Sequence, residues 1–89
     1  MSRVILSSII EAFDDYVEAG VDIAELQERI NANASALDRT FADVAQELRL
    51  LEADLERIIF TRLSSEQRPA ALFRIDAARE IVEQVLERL

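Results

Sequence analysis

Glu11, Asp14, Asp15 and Glu18 recur at spacings of three and four residues, and Asp76, Glu80, Glu83 and Glu87 repeat the pattern further along the chain. On a helix such spacing lines carboxylates along one face. Oxygen ligands gathered in this way could hold a hard divalent cation or share acid and base work. The rest of the chain argues against both. Calcium sites draw on turn carbonyls as well as carboxylates, and di-iron bundles need a Glu-x-x-His motif that a chain without histidine cannot supply. Each group is therefore expected to be a solvated acidic face, with no metal ligand and no cofactor. Ser7-Ser8 and Ser64-Ser65 lack a base to activate them, so bonding to nearby backbone is their expected role. With no lysine and no cysteine, Schiff-base, P-loop and thiolate chemistry are also absent. The chain is expected not to be an enzyme, and no residue is assigned as catalytic.

All ten basic residues are arginines, set against eighteen acids for a net charge of −8. That balance disfavours nucleic acid, because neutralising phosphates supplies most non-specific affinity. The arginines are also dispersed. Arg29 follows Glu25 by four residues, Arg57 follows Asp54 by three and Arg79 follows Asp76 by three, spacings expected to give exposed pairs within single helices. Tyr16 and the four phenylalanines are not interleaved with basic residues, so no platform for stacking bases is expected. Use of arginine to the exclusion of lysine suggests a GC-rich, bacterial genome. The uncharged runs are too short to span a membrane, and the segment after Met1-Ser2-Arg3 lacks the length and cleavage site of a secretory signal. The expected setting is cytoplasmic.

The elements that place these residues are helical throughout. From Asp22 to Leu63 there is no glycine or proline, and Leu26, Ile30, Leu37, Phe41, Val44, Leu48, Leu51, Leu55 and Ile58 recur mostly every three or four residues. This is the period of a helix with a coiled-coil-like seam, and a strand would alternate instead. One long central helix over 22–63 is expected, about 60 Å if unbroken. Asn31, Asn33 and Ser35 are poor helix formers, and Ser35 with Asp38 offers a second capping-box start. A break near 33–36 is therefore the alternative.

Flanking helices are better delimited. Helix one is expected over 3–19, closed by Gly20 in the left-handed conformation. Asp22 then caps the central run, with Glu25 at the third helical position and Val21 and Leu26 placed as a hydrophobic staple. Pro69 fits the first position of the last helix, where a missing donor costs nothing. Helix one turns Leu6, Ile9, Ile10, Phe13 and Val17 inward, widened by Ile5, Ala12 and Tyr16. The last helix turns in Leu72, Ile75, Ala78, Val82, Val85 and Leu89, with Phe73, Ala77 and Ile81 on an adjoining stripe.

Residues 1–89 are thus expected to form a single all-α domain. It would be an antiparallel helical bundle or hairpin of three helices, or four if the central helix breaks. Without an enclosed chamber or a catalytic set, the expected function is a non-enzymatic protein-protein interaction module. Such a module would bind or mask a basic or apolar partner, as immunity proteins, antitoxins, secretion chaperones and adaptors do. The candidate partner-binding residues are Asp14, Asp15 and Glu18 for charge, and Leu50 and Phe60, which fall off the main apolar stripe. The alternative is a structural homo-oligomer, a homodimer above all, paired through the long central helix.

Overall fold

In a computed structural model that describes residues 2–37 and 39–89, the chain forms four α-helices. They are α1 (Ser2–Glu18), α2 (Ile23–Ala36), α3 (Ala42–Thr61) and α4 (Ser64–Arg88), with a 3-10 turn at Arg39–Phe41 leading into α3. No strand occurs among the described residues. Each helix packs on its sequence neighbours, and α4 closes the ring against α1. Connections this short force consecutive helices to run antiparallel. The result is an up-down-up-down bundle measuring 38 × 22 × 19 Å. Its long axis matches the length of α4, which at 25 residues spans about 37 Å.

The two punctuation marks of the first half behave as their residues dictate. Gly20 has φ +77°, a conformation any side chain would strain, and beyond it the Val21 amide reaches back to the Asp15 carbonyl at 3.3 Å. Asp22 caps α2 by accepting from the Glu25 amide at 2.9 Å. Leu26 is buried behind it.

The long central helix does not form. The break falls over 37–41, one turn later than 33–36, so the bundle has four helices and no rod through which a copy could pair. Leu37 has extended backbone with its amide on the Ala34 carbonyl, and Asn33 turns its side-chain amide onto the Arg29 carbonyl at 2.9 Å, the local competition that weakens a helix. Burial decides the outcome. Folding back lets Leu26 and Ile30 of α2 share one core with Leu48, Leu51 and Leu55 of α3, all but fully buried, where a rod would leave much of this seam in water. Ser35 is exposed, and the capping partner expected for it, Asp38, lies outside the described residues. Phe41 is the cap residue of α3 and makes no side-chain capping bond.

Helix α4 begins at Ser64, five residues before Pro69. The Leu63 carbonyl accepts from the Glu66 and Gln67 amides at 2.8 and 3.1 Å, which nucleates the first turn ahead of the proline. Pro69 therefore lies inside the helix and only removes the bond that would have reached the exposed Ser65. Gln67 also donates to the Ile59 and Arg62 carbonyls at 3.4 and 3.3 Å, serving two otherwise unpaired acceptors at the end of α3.

One core runs through all four helices. Helix α1 contributes Leu6, Ile9, Ala12, Phe13 and Tyr16, and α4 contributes Ala71, Ile75, Ala78 and Val82. The inward face of α4 is thus rotated from the expected one. Leu72 and Val85 are only partly covered, Leu89 is exposed, and Ala71 takes a core place; on α1, Val17 is likewise exposed. The small residues Ala12, Ala71 and Ala78 sit where α1 and α4 contribute to the core, and alanine there permits close approach.

Candidate interaction surfaces

Arginines organise the outside of the bundle by joining one helix to another. Arg74 on α4 reaches α3, its Nη2 2.8 Å from Glu47 Oε1 and its Nε 2.6 Å from Asp54 Oδ2. Burial works against its charge, but hydrogen bonds to and attraction from Asp54 and Glu47 outweigh it and raise the pKa. Arg79 on α4 pairs with Asp14 on α1 and, at 3.6 Å, with Glu83, with the same direction and the same opposition. Its guanidinium also sits 5.9 Å from the Phe13 ring centre. Arg68 on α4 donates to the Tyr16 and Val17 carbonyls at 3.3 and 2.8 Å. A cation on the last carbonyls of α1 complements the negative end of that helix. Arg68 also lies 5.2 Å from the Tyr16 ring centre. Burial pushes the Tyr16 phenol above its ordinary range, against the opposing pull of Arg68.

Sequence spacing finds only part of this network. Arg57 does pair with Asp54, at 3.2 Å. Arg29 lies 4.0 Å from Glu25 but 2.8 Å from Asp15 of α1. Arg79 takes Asp14 and Glu83 in place of Asp76. Arg29–Asp15 and Arg79–Asp14 join different helices and residues far apart in sequence, so helical spacing carries no signal for them, whereas Arg79–Glu83 is a four-residue pair within α4. Removing the Arg74 side chain would leave Glu47, 17% exposed, without a cation, and Asp54, 32% exposed, with the more exposed Arg57 as its one remaining cation among the described residues. Arg74→Ala is expected to cost about 1–3 kcal/mol, read as a shift in urea midpoint with unchanged m-value. A loss below about 0.5 kcal/mol would mean that this network is no stronger than an exposed surface pair.

The five residues selected as partner-binding do not form one surface. Asp14 and Asp15 are engaged within the bundle by Arg79 and Arg29. Glu18 is exposed on α1. Leu50, 49% exposed, lies four residues before Asp54 on the side of α3 that borders α4. Phe60, 78% exposed, points away from the core near the end of α3.

Two distinct faces result. Across α1 and α4, the Asp14–Arg79 pair brings together the outward stripes of both helices: Glu11 and Glu18 flank Asp14, while Asp76 and Glu83 flank Arg79 and Glu80 and Glu87 continue the stripe. Among the described residues Glu11, Glu18, Asp76, Glu80 and Glu87 form no ion pair. Across α3 and α4 runs an open groove whose walls include Ile58, Pro69, Ala70 and Phe73, with Arg57 and Arg62 beside them. Among the described residues no three potential ligands are grouped to hold a metal ion, and no helix is long and apolar enough to cross a membrane. Compared with protein-family models, curated proteins and solved structures, the chain matches none.

Proposed function

We propose that this protein is a non-enzymatic interaction module that binds and masks a basic partner protein through the acidic face of α1 and α4. The observation that carries the reading is the adjacency of these two helices, which merges two carboxylate stripes from opposite ends of the sequence into one surface. Among the described residues five of its acids form no ion pair, and the whole chain has a net charge of −8. Such a surface accelerates encounter with positive partners and repels negative ones. Val4, 65% exposed, stands seven residues before Glu11 on the same side of α1 and offers an apolar contact, the kind that supplies most affinity. The setting we propose is the cytoplasm of a bacterium with a GC-rich genome, in keeping with the arginine-only basic content.

The test leaves the internal ion pairs alone. Asp14 and Asp15 are unsuitable because neutralising them also unties α1 from α4 and α2. The combined variant Glu11→Lys, Glu80→Lys and Glu87→Lys is expected to keep its fold while association with the partner slows about ten-fold or more at low salt. A pull-down from native extract at low and high salt identifies the partner, and stopped-flow mixing then measures the rate. Recovery of acidic partners alone at both salts would defeat the masking reading.

A further inference from the structure

We propose that the α3–α4 face is the docking surface for a second copy of this chain, related by a two-fold axis lying in that face and perpendicular to its helices. The inference goes beyond the masking reading and uses a different face, so either can fail alone.

Apolar exposure is the first reason. Phe73 is 83% exposed, the highest of any large apolar side chain described, and Ile81 and Leu50 are also open to solvent. Phe73, Ala77 and Ile81 follow one another at four-residue steps along the side of α4 next to α3, and Leu50 precedes Asp54 by the same step on the facing side of α3. The three α4 residues form an apolar strip, and Leu50 lies across the Arg74 bridge to Glu47 and Asp54 on α3.

Charge is the second reason, and it selects the occupant. In a strongly acidic chain this face is balanced. Its inner charges are satisfied internally, with Arg74 on Glu47 and Asp54, and Arg57 on Asp54. Four charges at its corners have no ion pair among the described residues: Asp43 and Arg62 at the two ends of α3, Glu66 and Arg88 at the two ends of α4. Because the helices are antiparallel, signs alternate around the four corners. An in-plane two-fold perpendicular to the helices therefore sets Asp43 of one copy against Arg62 of the other, and Glu66 against Arg88. It also lays the apolar strip of α4 on its own counterpart. The other in-plane two-fold, parallel to the helices, also matches signs but sets the strip of α4 against the charged stripe of α3. A self-complementary patch of this kind is what a closed dimer requires. An acidic partner would meet repulsion from the rest of the molecule, and a basic one would find more unpaired carboxylates on the α1–α4 face.

Area is the third reason. A face two helices wide and as long as α3 covers about 600 Å² per copy, or about 1,200 Å² in the pair, the lower edge of specific stable interfaces. An interface at that edge is expected to exchange between monomer and dimer, so the test spans micromolar concentrations.

Sedimentation equilibrium of the full chain from about 1 to about 100 µM tests this, with circular dichroism confirming that each variant stays folded. Wild type is expected to pass from monomer to dimer across the range. Phe73→Glu removes an exposed side chain and should weaken the dimer at least about thirty-fold. Arg62→Glu alone should weaken it several-fold by facing Asp43 of the other copy. Combining Arg62→Glu with Asp43→Arg should restore it, since the swap recreates opposite signs in both halves. A wild type that stays monomeric throughout overturns the proposal, as does a dimer indifferent to Phe73→Glu. A double variant weaker than Arg62→Glu alone overturns the two-fold assigned here.

Discussion

Leu51→Asp is expected to unfold the protein at physiological temperature. Leu51 lies mid-way along α3 and is fully buried, and the neighbouring core side chains are apolar, with no buried polar residue among those described. A carboxylate introduced there finds no partner, so the loss combines lost apolar burial with an uncompensated polar group and should reach at least about 4 kcal/mol. A domain of this length has a total stability of about 4–13 kcal/mol. The melting temperature should fall by about 20 °C or more. The defect should also depend on pH. Burial raises the pKa of the introduced carboxyl in the folded state, so folding retains a proton that the unfolded chain releases. The penalty therefore grows as pH rises above the unfolded value of about 3.9 and shrinks toward it. Glu83→Ala is the control: Glu83 is exposed and 3.6 Å from Arg79, an i,i+4 pair whose loss costs about 0.2–0.5 kcal/mol. Equal melting temperatures for the two variants would contradict the placement of α3 in the core.

Phe13→Ala should give the next largest loss. Phe13 is the bulkiest fully buried side chain described, and its removal opens a cavity beneath the contact between α1 and α4, for about 3–5 kcal/mol. Arg79, which lies over the ring and pairs with Asp14, would lose the surface against which its stem and guanidinium rest. Phe13→Leu should cost less, about 1–1.5 kcal/mol, because most of the volume is kept. Urea titration of both variants separates the effects. If the alanine variant lost no more than the leucine variant, the ring would not be filling a packed interior.

Local features of the fold are legible in the sequence because short-range stereochemistry fixes them. Gly20 closes α1 since only glycine accepts a positive φ without strain, and Asp22 opens α2 since its carboxylate reaches an amide three residues on. The identity of the α3 core is also legible. Leu48, Leu51 and Leu55 keep a helical period, and that period survives whatever the helix packs against. The proline at position 69 shows where such rules stop. Its preference for a first helical position is real, but the Leu63 carbonyl and Gln67 bonds supply an earlier start that the local preference does not forbid.

Tertiary structure decided the rest, because the deciding energies couple residues far apart in the chain. A steady apolar period through 30–44 is compatible with one helix or two. The break over 37–41 follows from what two flanking helices can cover, a matter of burial summed over the whole molecule. The surfaces have the same origin. The outward carboxylates of α1 and α4 are recognisable singly from their spacing, but only closure of the ring joins them, and only Arg29 and Arg79 reveal that Asp15 and Asp14 are already engaged. Arg74 bridging Glu47 and Asp54, and Arg68 capping α1, link positions with no shared helical period. By itself the sequence determined that the chain is helical, where α1 closes and α2 opens, and which side of α3 is greasy. Packing determined where the long run bends, which charges remain free and which apolar side chains stay in water, because each depends on which helices become neighbours.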